Sequence, residues 1–187
     1  MRVSFDLSPR DLRYFKRILR EARENARGKS EKEIASAAQT LLTNLQGVEV
    51  SDFIRKRIGV LAQLVAILED TEWRLGNEDR ARVVDALAYF AEPEDLIPDR
   101  IPVLGFLDDA IMIELVAEEL RHDLDAYGDF CDFRKKEEKR HGKRQDAASR
   151  EEWLKARRIQ LHQRMRRRRC SRAGRSRSPR QSTLSLW

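Results

Sequence analysis

Apolar residues return every three or four positions along most of the chain, and no segment alternates with the period of two that a half-buried strand requires. In the first stretch Leu12, Phe15, Ile18, Leu19, Ala22 and Ala26 share a helical face. Ser8-Pro9-Arg10-Asp11 ahead of them supplies an N-cap serine, a proline suited to the first helical position and an acid that closes a capping box, and Gly28 marks a stop. Ser30-Glu31-Lys32-Glu33 opens a second helix in the same way, carrying Ile34, Ala37, Ala38, Leu41, Leu42 and Leu45 to Gly47. A third begins at Ser51-Asp52, buries Phe53, Ile54, Ile58, Leu61, Leu64, Val65 and Leu68, and is predicted to run to about Leu75-Gly76, with Trp73 covering its end. Asn77 caps a fourth, with Val83, Val84, Leu87, Ala88 and Phe90 inward as far as Glu92-Pro93. A long fifth leaves Asp108 on the stripe Ile113, Val116, Ala117, Leu120, Leu124, Tyr127 and Cys131. The pattern predicts an all-α fold, a bundle of about five helices over residues 1–133.

Past Phe133 the stripe thins and the chain changes character. Residues 134–187 read as a basic tail: an almost wholly charged run to Arg144, a short Ala147-Ala148 link, and a helix over about 150–169 opened by the capping box Ser149-Arg150-Glu151-Glu152. The remainder is low-complexity and is expected to be disordered on its own. Charge divides in the same place. The net +6 combines −8 over residues 1–130 with +14 over residues 131–187, so an acidic body carries a cationic extension and the two need separate partner arguments.

The apolar run Ile58–Leu68 has eleven residues without a charge, where a membrane span needs about 20. Ile101–Leu120 is interrupted by Asp108, Asp109, Glu114, Glu118 and Glu119, each costing roughly 2.5–3.5 kcal/mol at a bilayer centre. No transmembrane helix is expected, and the N-terminal residues lack a secretory apolar core. Cys131 and Cys170 have neither a near cysteine nor a histidine at ligand spacing, which fits a reducing, cytoplasmic setting. His122, His141 and His162 stand singly, and no nucleophile elbow or phosphate-binding glycine loop occurs, so no catalytic residue and no cofactor is assigned.

One stretch resists the helical pattern. Pro93 to Ala110, P-E-D-L-I-P-D-R-I-P-V-L-G-F-L-D-D-A, holds three of five prolines and four aspartates. Pro98 and Pro102 keep the residues before them extended, Gly105 permits an unusual backbone angle, Asp95 and Asp99 suit turns and caps, and Asp108 and Asp109 sit where a helix N-terminus favours negative charge. On that reading the segment is a proline-rich corner between helices four and five. A competing reading gathers Asp95, Asp99, Asp108 and Asp109 into a carboxylate cluster for Mg²⁺ or Ca²⁺, which is the route to a metal-dependent enzyme, although the spacing is not that of an EF-hand and no Lys or His accompanies it. A docking surface is the third.

The run Asp95-Leu96-Ile97-Pro98-Asp99, then Ile101-Pro102, Gly105 and Asp108-Asp109, resembles the signature of the YkvA-like domain of unknown function over roughly Val83 to Leu120. The resemblance implies a small, mostly bacterial helical domain without an assigned reaction, substrate or cofactor, many of whose members are labelled membrane proteins. This chain departs from such members at Arg100, Glu114, Glu118 and Glu119.

The tail supplies the partner expectation. From Leu154 onward there are twelve Lys/Arg and no acid. Lys155, Arg157, Arg158, Arg164, Arg166, Arg167, Arg168 and Arg169 are the candidate polyanion contacts, with RNA favoured. The same helix, bearing Trp153, Leu154, Leu161 and Met165, suits an anionic membrane surface, and a third reading has it contacting the acidic body of its own chain. The expectation is a non-catalytic adaptor in the cytoplasm, peripheral at a membrane in the second reading, with no protein partner indicated.

Overall fold

The computed structural model describes residues 7–45, 48, 50–91, 106–141 and 147–175. Among the described residues the chain is all-helical and without strands, as the periodicity requires. Seven α-helices follow in order: α1 Pro9–Asn25, α2 Glu31–Asn44, α3 Asp52–Glu69, α4 Asn77–Leu87, α5 Leu107–Glu119, α6 Arg121–His141 and α7 Ala147–Arg175; 3₁₀ turns occupy Ala26–Gly28 and Ala88–Ala91. The capping boxes at Ser8 and Ser30 form, whereas the one expected at Ser149 does not open its helix, because α7 already begins at Ala147 and Ser149 lies within its first turn. Ser8 N–H donates to Asp11 at 2.9 Å and Asp11 N–H to Ser8 Oγ at 3.3 Å, with Ser30 and Glu33 repeating the exchange at 2.6 and 3.3 Å.

Several boundaries differ from the sequence pattern. Helix α3 stops at Glu69, several residues early, because Asp70 accepts N–H groups from Glu72 at 2.8 Å and Trp73 at 3.0 Å and so turns the chain locally. Gly76, not Asn77, is the N-cap of α4. The expected fifth helix is two helices, broken at the fully buried Leu120, whose carbonyl accepts the N–H groups of Asp123 and Leu124 at 2.9 Å and starts α6 afresh. A single non-helical residue leaves the three-four stripe in phase, so periodicity runs straight through the break. The expected division at 133/134 falls inside α6, and the tail helix is longer at both ends than residues 150–169.

The described residues form two compact units, one built from those up to Glu69 and between Leu75 and Glu119, the other from Asp70–Arg74 together with those between Leu120 and Arg175. In the first, α3 packs on α2 and α5, α2 on α4 and the Ala88–Ala91 turn, and α1 on that turn and on α5. Leu45, Ile54, Phe106 and Ala110 form a buried cluster flanked by Leu41, Val50, Phe53 and Ile58. Polar ties cross it: Arg23 bonds Glu119 at 2.7 Å and Asp85 at 3.2 Å, Arg80 bonds Glu31 at 2.8 Å and the Leu68 carbonyl at 2.9 Å, and Arg57 bonds Glu114 at 2.9 Å while covering the Phe53 ring. The Glu31 carboxylate raises the Arg80 guanidinium above its usual range.

The second unit is an antiparallel helix pair, α6 and α7, with the five-residue segment Asp70–Arg74 packed into it. Trp73 is wholly buried there rather than covering the end of α3, its ring centre 4.2 Å from His162, 5.1 Å from Phe130 and 5.7 Å from Tyr127. Leu154, Leu161 and Met165, four and seven residues apart on α7, complete the core.

Candidate polyanion-binding surface

Two sets of residues singled out by the sequence are partly or wholly placed. Of the corner, Asp95, Pro98, Asp99, Pro102 and Gly105 lie outside the described residues. Phe106 at its end has a left-handed backbone, φ 66°, uncommon for a residue with a side chain, and is buried in the core cluster. Asp108 and Asp109 follow in the first turn of α5, both buried, and the Tyr89 hydroxyl donates to Asp108 Oδ2 at 3.5 Å. Asp79, in the first turn of α4, is buried as well. All three acids thus stand at helix N-termini, where exposed N–H groups and the dipole favour negative charge. Sequence reasoning missed Asp79, although its place three residues after a glycine cap was a usable signal. Among the described residues no group of three or more His, Cys, Asp or Glu is disposed to hold a metal ion.

The basic helix α7 is built from the hairpin upward. Its apolar side, Leu154, Leu161 and Met165, is taken up by the core, so that side is closed to a bilayer. At the start of the helix, Arg150 bonds Glu72 and, at 2.6 Å, Glu138, while Arg158, almost fully buried, donates to the Glu72 carbonyl at 2.7 Å and to Glu151 at 3.2 Å. Further along, three pairs keep antiparallel register with α6: Arg164 with Asp129, Arg168 with Asp125 at 4.0 Å, and Arg169 with the buried Asp123 at 3.1 Å. Asp123, like Asp79, was not singled out in the sequence. Arg157 lies over the Phe133 ring and bonds Gln160 at 2.7 Å.

The anchor of this unit is electrostatic too. Burial would raise Asp70, but the N–H groups of Glu72 and Trp73 and then Arg134 outweigh it and hold the carboxyl below its ordinary value. Arg150 foremost, with Arg134, does the same for Glu72 against the opposing effect of burial. Burial pushes the Tyr127 phenol upward, helped by Cys131 and by Asp70, to which the hydroxyl donates at 3.1 Å.

The outward residues of α7 include a stripe at spacings of three, four and seven: the acid Glu152 at its start, then Lys155, Ile159 and Arg166, with Gln163, Arg167 and Cys170 beside it. Ile159 is 47% exposed, one of the few large apolar side chains so placed. Of the eight expected contacts, Lys155, Arg166, Arg167 and Arg168 are exposed, while Arg157, Arg158, Arg164 and Arg169 are at least half covered.

Comparison with known proteins bears on the corner. Residues 79–115, covering α4, the turn after it and most of α5, match the family model described as Protein of unknown function (DUF1232). The segment is YkvA-like. This YkvA-like segment overlaps most of the Val83–Leu120 span of the sequence resemblance. The chain is also similar to the "Uncharacterized membrane protein YkvA" of Bacillus subtilis (strain 168), 36% identical over 62 residues, which is 30% of this chain and 58% of that protein. The alignment thus spans less than two thirds of the relative's length. No solved structure matches the chain. The YkvA-like segment contributes the buried acids Asp79, Asp108 and Asp109, whereas α6 and α7 lie beyond its end. No described helix is long and apolar enough to cross a membrane.

Proposed function

We propose that the protein is a non-catalytic binding module that attaches peripherally to an anionic lipid surface through the outward stripe of α7, Lys155, Ile159, Arg166 and Arg167. The observation that carries this reading is the exposed isoleucine within a row of exposed cations, a combination suited to the boundary between headgroups and acyl chains. The name of the Bacillus relative, a membrane protein, supports the lipid partner. Engagement of Arg158, Arg164 and Arg169 within the hairpin reduces the charge open to RNA, the partner favoured from sequence.

Sedimentation with vesicles tests it. The full chain, treated with nuclease, is expected to pellet with phosphatidylglycerol-containing vesicles and not with neutral phosphatidylcholine, and to be released by salt. Neutralising Lys155, Arg166 and Arg167 to Gln should weaken that pelleting about 100-fold, at roughly 1 kcal/mol for each cation near the surface. Substitution is preferable to truncating the tail, because removing α7 takes away the buried Leu154, Leu161 and Met165 and the His162 ring that packs on Trp73. Equal pelleting with neutral and anionic vesicles, or binding to RNA alone, removes the lipid reading.

A further inference from the structure

The acidic body contains a cationic face of its own. Residues 9–20 of α1 include Arg10, Arg13, Lys16, Arg17 and Arg20 against a single acid, Asp11. Spacings of three and four gather the five bases on the side of α1 opposite Phe15, Leu19 and Ala22, and every one is exposed. From Arg10 to Arg20 the row spans roughly 15 Å at the helical rise. Asp11 is occupied by the Ser8 cap. Arg17 makes a loose pair with Glu21 at 3.6 Å, both side chains more than half exposed, and lies over the exposed Tyr14 ring. Arg10, Arg13, Lys16 and Arg20 make no ion pair among the described residues.

The apolar side of α1 is unevenly covered. Leu19 and Ala22 are buried, whereas Leu12, Phe15 and Ile18 toward the N-terminus are only half-buried. The first half of the helix therefore joins its cationic face to the half-buried Leu12 and Ile18 at its two edges and an exposed tyrosine, the composition of a helix that rests in a headgroup layer. A convex single-helix face with one exposed aromatic offers neither a groove nor a stacking platform for a nucleic-acid strand.

We infer that Arg10, Arg13, Lys16, Arg17 and Arg20 of α1 form a second contact face for anionic phospholipid, on the unit that does not contain α7. The inference rests on the surface-attachment reading above and adds a separate site to it.

The test uses the full chain and vesicles of phosphatidylcholine with and without phosphatidylglycerol. Arg13→Gln, Lys16→Gln and Arg20→Gln together remove three exposed charges without disturbing the core. Each cation is worth about fivefold in partitioning, so the triple variant is expected to bind anionic vesicles roughly 100-fold more weakly. If that variant melts early, the single Arg13→Gln and Arg20→Gln changes, each about fivefold, carry the same reading. Binding indistinguishable from wild type overturns the inference. A wild-type chain that ignores anionic vesicles overturns it too, and so does an α1-dependent affinity for RNA in the absence of lipid binding. The α7 substitutions of Lys155, Arg166 and Arg167 separate the two proposals. If they leave pelleting unchanged while the α1 variant loses it, the α7 reading fails and the α1 face stands; the converse result sinks only the α1 face.

Discussion

The two basic helices, α1 and α7, reverse the ranking that their sequences suggest. Helix α7 advertises itself with four consecutive arginines, yet Arg164, Arg168 and Arg169 face Asp129, Asp125 and Asp123, and Arg158 is almost fully buried. Helix α1 sits in a region of net negative charge and still presents five exposed cations. Charge along a chain measures what a segment carries; charge on a surface measures what its neighbours leave over. An antiparallel partner with acids in register neutralises α7 locally, whereas α1 packs through its apolar side and leaves its cations to water.

The largest break in this comparison should come from Trp73. Replacing it with alanine removes a wholly buried indole from between Tyr127, Phe130 and His162, at a cost of about 3–5 kcal/mol. Chemical denaturation followed by far-ultraviolet circular dichroism should then show an early transition from the hairpin, with α7 cations released from their acids. A variant as stable as wild type would mean that the segment Asp70–Arg74 is not what holds the pair.

Asp123→Asn comes next. It leaves Arg169 facing an uncharged amide in a buried setting and should cost about 2 kcal/mol, read as a lowered denaturant midpoint. Acid provides a related handle. Asp70 and Glu72 both have folded-state values depressed below the ordinary 3.8 and 4.5. Depression means the unfolded chain binds protons more readily, so their contribution is complete above those ordinary values and is lost as pH falls through the depressed folded ones. The near-ultraviolet dichroism of Trp73 and Trp153 should therefore fade on titration from about pH 6 to about pH 2, and a signal that stays constant over that range would dissociate the hairpin from these carboxylates.

The smallest effect sharpens the comparison most directly. Asp125→Asn with Asp129→Asn lifts two exposed acids off α7 and should change stability by under about 1 kcal/mol, since such pairs are screened by water. Anionic-vesicle binding should nevertheless rise several-fold, because Arg164 and Arg168 become available. No rise would show that the α6 acids do not limit the proposed lipid contact.

Local chemistry was legible where it acts over one or two turns. The capping boxes at Ser8 and Ser30 lie in contiguous residues, and both form as read, because cap geometry needs no distant partner. The all-helical class and the YkvA-like segment were legible for the same reason, one from periodicity and the other from a dense local motif. The break at Leu120 was not, since one turned residue leaves the stripe in phase, and neither was the early end of α3, which depends on Asp70 accepting two backbone N–H groups. Trp73 looked like a lid on its own helix because its partners, Phe130 and His162, are 57 and 89 positions away in the chain.

By itself, then, the sequence determined that this protein is helical, where most helices begin, and how much charge each carries, all consequences of spacing and near-neighbour hydrogen bonding. Tertiary structure alone decided which charges reach the surface. That outcome depends on the register of α7 against α6 and on the side of α1 that is buried, and both are set by packing between residues far apart in the chain.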